Sequence, residues 1–144
     1  MYNTVINNKK WKRMEKRMTE EKKDLQLEIS VTNILREFGV PAHLNGYVYL
    51  RKGIIYLVKD MGMARSITKG LYYDLAKDCD STVNKIERSI RNAIEVAWER
   101  GNEDTFDKYF GYSQRNGRNR PCNSEFMVQI ADYIRLNQMA TMTA

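Results

Sequence analysis

The sequence has 144 residues, the size of one small domain, and 42% of them are hydrophobic, enough for a core. No apolar run approaches the ~20 residues of a membrane span, so we expect no membrane association. The net charge of +6 favours a polyanionic partner, most often nucleic acid. Cys79 and Cys122 match no metal or redox spacing, which indicates a reducing cytoplasm and no metal site. We also expect no cofactor, and a nucleic-acid partner would place the protein at the nucleoid.

Residues 1–24 are predicted to be a basic arm that is either helical or disordered. The arm contains eight Lys or Arg against four acidic residues, which is a net +4 of the +6 carried by the chain. Trp11, Met14 and Met18 lie at helical spacing within it. Two roles remain open for the arm: contact with DNA phosphates, or dimerisation through these three side chains on tandem DNA sites.

The rest of the chain predicts an all-α domain of six helices over residues 25–137. In each helical segment, apolar residues recur at steps of three and four, whereas no segment alternates with the period of two that marks a strand. Residues 138–144 are expected to fray. The predicted helices cover residues 25–38, 46–61, 67–77, 81–101, 103–110 and 124–136.

The helix predicted over residues 81–101 is the centre of this domain. Ser81 and Thr82 are candidate caps for its start, and Gly101 is a natural stop. One apolar stripe runs along it, made of Val83, Ile86, Ile90, Ala93, Ile94 and Ala97. The opposite face is rich in Arg, Asn and Glu, which match guanine, adenine and cytosine edges respectively. The alternative is a solvated face with intrahelical ion pairs.

The segments around this helix favour DNA binding. A short helix, a turn of about four residues over 78–81 and the long helix follow one another, which is the order of a helix-turn-helix. The second helix of that motif enters the major groove. The loop over 112–123 contains Arg115, Arg118 and Arg120 without an acidic residue, which favours phosphate contact; a solvated loop is the alternative.

Four segments resemble, in the same order, the C-terminal effector domain of the stage 0 sporulation protein A family. They are GVPAHLNGYVYLRKGI from Gly39, RSITKGLYYDLAKD from Arg65, IERSIRNAIEVAWERGN from Ile86 and NSEFMVQIADYIRL from Asn123. The resemblance spans about residues 25–137 and implies an all-α DNA-binding domain of six helices. A phosphoacceptor receiver domain precedes this domain in the family, whereas the basic arm of 24 residues stands there in this sequence. We therefore expect a free-standing relative without phosphorylation control.

In the family, the helix that corresponds to residues 81–101 enters the major groove, and we call it the reading helix. The resemblance implies that five of its residues contact DNA: Lys85, Glu87, Arg88, Arg91 and Asn92. Glu87, Arg88 and Arg91 match the residue types of the family, while Lys85 stands in place of an arginine and Asn92 in place of a histidine. Lysine does not reproduce the bidentate fork of arginine, so we expect an altered preference for the family's TGTCGAA-like box. Further candidate DNA contacts are Ser81, Arg118 and Arg120.

No catalytic constellation is present, and we do not expect an enzyme. His43 is the only histidine, and no serine or cysteine has a visible base partner. The main hypothesis is a sequence-specific regulator that binds double-stranded DNA. The alternatives are a protein that pairs with or competes against the full-length sporulation regulator, and a non-specific nucleic-acid binder dominated by the arm. The resemblance also implies a contact between the RNA polymerase sigma subunit and the stretch GNEDTFDKYFG, although its charged middle differs from the family.

Overall fold

The computed structural model describes residues 2–100 and 102–143, with side chains for residues 7–100 and 102–142. Within them the chain forms six α-helices and no strand, which confirms the all-α prediction. The helices are α1 (Tyr2–Phe38), α2 (Asn45–Lys59), α3 (Tyr72–Asp78), α4 (Val83–Arg100), α5 (Glu103–Phe110) and α6 (Asn123–Thr143). Short 3-10 turns cover Met61–Arg65 and Gln114–Asn116, and a π-helical turn covers Ile67–Leu71.

The basic arm and the first helix of the domain form one continuous helix, α1. Neither proline nor glycine occurs between Tyr2 and Phe38, so no residue interrupts the backbone hydrogen bonds. Every residue from 7 to 26 is exposed, and burial begins at Leu27. Of the two states predicted for the arm, the structure therefore contains the helical one.

The ends of several helices differ from the predicted ones. Asp60 adopts an extended conformation, and its carboxylate accepts a hydrogen bond from Gly62 N at 3.0 Å, so α2 ends at Lys59 rather than at residue 61. The helix predicted over 67–77 starts as the π-helical turn and continues as α3. The last helix was expected to fray after residue 137, but α6 continues to Thr143, and Thr141 Oγ1 donates to Asn137 O at 2.9 Å.

All six helices contribute to one hydrophobic core. Phe38 lies at the centre of its aromatic part, with ring centroids of Phe106, Tyr109 and Phe126 at 4.8, 5.1 and 5.0 Å. The inward residues predicted for α1 are all buried: Leu27, Val31, Ile34, Leu35 and Phe38.

The prediction of which α6 residues face the core was partly wrong. Tyr133, which was predicted to be in the core, is 38% exposed and packs its ring on Tyr109 at a centroid distance of 4.8 Å. Met127 and Ala131 are buried instead. The polar tip of a tyrosine favours the margin of a core, where it stays near water.

Two contacts fix the position of α4 within the domain. Gly46 of α2 lies so close to α4 that a Cβ atom there would be 2.1 Å from Ser89 O and 2.7 Å from Ala93 Cβ. At the start of α6, Asn123 Nδ2 donates a hydrogen bond to Glu87 O at 3.0 Å. Helix α4 is therefore held by α2 and α6, and its remaining face points to solvent.

Candidate nucleic-acid interface

The start of α4 is capped by Thr82, whose Oγ1 accepts a hydrogen bond from Lys85 N at 3.2 Å. Ser81 was also expected to cap the helix, but its Oγ is buried without a hydrogen-bond partner, and its amide donates to Ala76 O at 2.8 Å. The cap prediction is therefore right for Thr82 and wrong for Ser81. The predicted stop of the helix, Gly101, lies outside the described residues.

The apolar stripe of α4 faces the core as predicted. Ile86, Ile90, Ala93, Ile94 and Ala97 are each at most 1% exposed. Val83, in the first turn, is half-buried. At the other end of the helix Trp98 joins the stripe, and its ring packs edge-on against Phe106 at 4.7 Å. These contacts fix the rotation of α4 about its axis.

The polar face of α4 consequently points away from the core. Among the predicted reading residues, Lys85, Arg88, Arg91 and Asn92 are exposed, and Glu87 is half-buried. At 3.6 residues per turn, these side chains spread over about 160° of the helix surface. Glu87 and Arg91 lie at one edge of this spread, and Lys85 and Asn92 lie at the other.

The charges on this face are not equivalent. Arg91 Nη2 donates to Glu87 Oε1, one turn earlier, which is the intrahelical ion pair of the alternative interpretation. No described residue forms an ion pair with Lys85 or Arg88. Arg88 can therefore approach a base or phosphate without losing a protein contact, whereas Arg91 must share or release Glu87.

An open groove of about 1,100 Å³ runs beside the edge that contains Glu87 and Arg91. The segment before α3 and the loop before α6 form its other walls. Its cationic side chains are those of Arg65, Lys69, Arg91, Arg118 and Arg120. This excess of positive charge beside the reading face suits a DNA phosphate backbone. Arg65 and Lys69 were not predicted to contact DNA; the available signal was their spacing of four around the start of the helix predicted over 67–77.

The three loop arginines have different surroundings. Arg115 Nε lies 2.8 Å from Glu103 Oε2, and its Nη2 lies 3.4 Å from Asp104 Oδ1, so α5 neutralises this side chain. Arg120 Nη1 lies 3.6 Å from Glu95 Oε1 of α4. The loop itself lacks acidic residues, as the sequence shows, but neighbouring helices supply them.

Arg118 is the loop arginine that stays most available for an anion. Its guanidinium carbon lies 5.9 Å from the centroid of the Tyr112 ring, within the range of a cation–π contact. The Tyr112 hydroxyl in turn donates to Glu125 Oε1. Arg118 is thus oriented by an aromatic ring and remains exposed at the groove.

The order of α3, a turn over 79–82 and α4 is compatible with a helix-turn-helix. Asp80 in this turn has a φ of 51°, a left-handed conformation that aspartate tolerates better than most residues. The hydroxyl of Tyr56 donates to Asp78 at the end of α3 and ties the turn to α2. In such a motif, α4 is the helix that enters the major groove.

In residues 2–100 and 102–143, no group of three His, Cys, Asp or Glu side chains is arranged to hold a metal ion. None of the helices in that part of the chain has the length and apolar character required to cross a membrane. Cys79 and Cys122 are free thiols.

Comparison with protein-family models identifies the family of the chain. The model for the C-terminal domain of sporulation initiation factor Spo0A matches residues 31–134, well over half of the chain. The chain therefore belongs to this family and is a DNA-binding effector domain of the sporulation-regulator type. The matched region begins within α1, after the arm, and ends within α6.

Proposed function

We propose that this family member is a transcription regulator that inserts α4 into the major groove and reads a TGTCGAA-like box without prior phosphorylation. The supporting observation is the solvent-facing polar side of α4, whose opposite side is fixed in the core. No segment in residues 2–100 and 102–143 covers its reading side chains, so none has to be released before DNA binds. Because the ligand is chromosomal DNA, the protein acts in the cytoplasm, at the nucleoid.

The side chains of α4 suggest a division of roles at the bases. Arg88, which has no ion-pair partner among the described residues, is the best candidate for a bidentate pair with guanine. Asn92 suits adenine, and the carboxylate of Glu87 can accept from the amino group of cytosine. Each good bidentate pair contributes about 1–3 kcal/mol of discrimination. Lys85 lies at the other edge of the face, and its ammonium group is a point charge, so it discriminates between bases less than an arginine would.

Phosphate contacts follow from the groove. Arg118 and Arg120 on one wall, and Arg65 and Lys69 on the other, can hold the DNA backbone beside the Glu87–Arg91 edge. Ser81 contributes least to this proposal, because its hydroxyl is buried and has to rotate outward before it can reach a phosphate. These contacts position the protein on the duplex and carry no sequence information.

Two protein partners belong to the same proposal. On DNA, α5 and the residues before it are the candidate contact for the RNA polymerase sigma subunit, and Asp104 and Lys108 are exposed there. Binding as a homodimer to tandem boxes is the second expectation. A protein with this reading face would also compete with a full-length regulator for the same boxes.

Alanine substitutions on α4 test the proposal. We expect Arg88→Ala to weaken binding to the box by about 1–3 kcal/mol and to lower the ratio of box to scrambled-DNA affinity. Arg118→Ala should weaken binding to both DNAs alike. The matched control is Arg100→Ala, which removes the same charge from an exposed position of α4 outside the reading face.

Fluorescence anisotropy at one fixed, physiological salt concentration measures these affinities, because DNA affinity depends steeply on salt. Circular dichroism checks that each variant keeps its helix content. If Arg88→Ala and Arg91→Ala both bind the box as tightly as the wild type, α4 does not read the major groove through this face.

A further inference from the structure

Five large apolar side chains of α1 are exposed along one line of the helix. Their exposed fractions are 63% for Trp11, 44% for Met14, 64% for Met18, 57% for Leu25 and 49% for Ile29. At 3.6 residues per turn, all five fall within an arc of about 60°. We call this set the α1 stripe. Exposed apolar residues aligned in this way mark an interaction surface, whereas isolated ones do not.

The α1 stripe does not serve the core of its own domain. The buried residues of α1, such as Leu27, Val31 and Phe38, lie about 150° around the helix from the stripe. The stripe therefore faces away from the body even where α1 packs on it, at Leu25 and Ile29. Its partner has to come from another molecule.

We propose that the α1 stripe binds the α1 stripe of a second copy of this chain, with the two helices antiparallel and related by a two-fold axis. The proposal does not rest on DNA binding. Overlap from Trp11 to Ile29 extends for about 27 Å at 1.5 Å per residue. In the favoured register, Met14 lies opposite Leu25 of the second copy, and Met18 lies beside Glu21 of the second copy. A polar residue in such a seam fixes the register at some cost in stability.

The charges that flank the stripe identify the second copy as the occupant. In this register Glu15 lies beside Lys22 of the second copy, and Arg17 lies beside Asp24 of the second copy. The two-fold axis repeats both pairs. Each of these four side chains therefore lies beside an opposite charge on the second copy. Asp24 already contacts Lys59 Nζ through Oδ1 at 3.1 Å, but its side chain is 61% exposed and can accept a second cation.

The same charges argue against other arrangements. A parallel pair would place Lys10 beside Glu15 of the second copy but Arg17 beside Lys22, so a like-charge contact would oppose the attractive one. DNA or an anionic surface would meet Glu15, Glu21 and Asp24 along the stripe, which offset the charges of Lys10, Arg17 and Lys22 there. Five of the eight cations of the arm lie on the far side of the helix, where all five are exposed: Lys9, Lys12, Arg13, Lys16 and Lys23. The stripe is thus the protein-binding side of the arm.

Sedimentation equilibrium of the whole chain without DNA, from about 1 to 100 µM, tests the dimer. We expect the wild type to dimerise in this range and Met14→Asp/Met18→Asp to weaken dimerisation by at least about 100-fold, since it places charges in the seam. A wild type that stays monomeric at 100 µM overturns the proposal. It is also overturned if the double variant dimerises as the wild type does.

Charge reversals test the register. Lys22→Glu should weaken the dimer about tenfold, because it changes two symmetric pairs from attraction to repulsion, and Glu15→Lys/Lys22→Glu should restore it. In a parallel dimer Lys22→Glu would face Arg17, so tighter association refutes the antiparallel register. The matched controls are Lys16→Glu and Glu20→Lys on the far side of α1, which should leave dimerisation unchanged; equal weakening by them refutes the stripe.

Deletion of residues 1–24 distinguishes an arm that dimerises from an arm that only binds DNA. Each phosphate contact steepens the salt dependence of log K by about 0.9. If the wild type is monomeric and deletion of residues 1–24 only flattens the salt dependence of DNA binding, the arm serves phosphates and the proposed dimer is wrong.

Discussion

Replacing Gly46 with alanine tests the close contact between α2 and α4, the proposed reading helix. A Cβ atom at this position would lie 2.1 Å from Ser89 O, 2.8 Å from Ser89 C and 2.7 Å from Ala93 Cβ. Two of these atoms belong to the backbone of α4, and the third is a Cβ atom that no rotamer can move. The extra methyl group therefore fits only if the two helices separate.

The expected magnitude is the balance of two effects. Alanine is favoured over glycine inside a helix by about 1 kcal/mol. Overpacking a core contact costs about 1–3 kcal/mol and more where the neighbour cannot yield. Because the obstacle at Gly46 is backbone, we expect Gly46→Ala to lower the free energy of unfolding by about 2 kcal/mol or more. It should also weaken binding to the box, since α4 is displaced.

Gly70→Ala is the matched control for this change. A Cβ atom there would meet only Ser66 Cβ and Oγ, both at 3.4 Å, which is an ordinary contact. We expect Gly70→Ala to leave the free energy of unfolding unchanged or to raise it by up to about 1 kcal/mol. Urea unfolding followed by circular dichroism measures both variants. If Gly46→Ala is as stable as the wild type, the backbones of α2 and α4 do not approach each other this closely.

Two other substitutions test the core, and a third tests how the stability of the protein depends on pH. Trp98→Ala should lower the free energy of unfolding by about 3–5 kcal/mol in denaturant titrations, because the side chain is 7% exposed; a loss below about 1 kcal/mol would place Trp98 outside the core. Ile90→Asp should abolish the cooperative thermal transition, since it puts a charge at a fully buried position, and a melting temperature near that of the wild type contradicts this. The hydrogen bond from Tyr109 at 2.7 Å, together with Lys108 at 3.1 Å, lowers the pKa of Glu37 below its ordinary value of 4.5. The resulting stability is present above the unfolded-state pKa and is lost as pH falls through the lower folded-state pKa. Glu37→Gln should therefore lose less stability than the wild type in urea titrations between pH 6 and pH 3, and equal losses would show that this carboxylate is not involved.

The helices with the strongest periodicity were predictable from sequence. The stripe of α4 from Ile86 to Ala97 repeats at steps of three and four, and burial of every third or fourth residue is what that spacing requires. The bounds of α5, Glu103–Phe110, were predicted because Gly111 follows, and this glycine adopts a φ of 77° at the end of the helix. Local signals were sufficient in both cases.

The sequence did not predict which of two chemically similar residues takes a given structural role. Ser81 and Thr82 carry the same capping group, and the turn decides between them. The amide of Ser81 bonds to Ala76 O, so Thr82 is the residue left in position to cap α4. Tyr133 has the spacing of a core residue, but the ring of Tyr109 keeps it at the margin of the core. Such outcomes depend on tertiary contacts that one sequence does not reveal.

The basic groove is the part of the candidate site that most depends on such contacts. Arg65 and Arg120 are distant in sequence, and they line one groove because α6 starts against the second turn of α4. The hydrogen bond from Asn123 Nδ2 to Glu87 O makes that connection. Since Asn123 closely follows Arg120 in the chain, this bond also sets the distance between the loop and the Glu87–Arg91 edge. From helix periodicity alone, Glu87 is only a polar surface residue. In the structure its carbonyl oxygen accepts the hydrogen bond that joins α6 to α4, and its carboxylate forms an ion pair with Arg91. The wall proposed to bind phosphate and the edge proposed to read bases are therefore positioned by the same residue of α4.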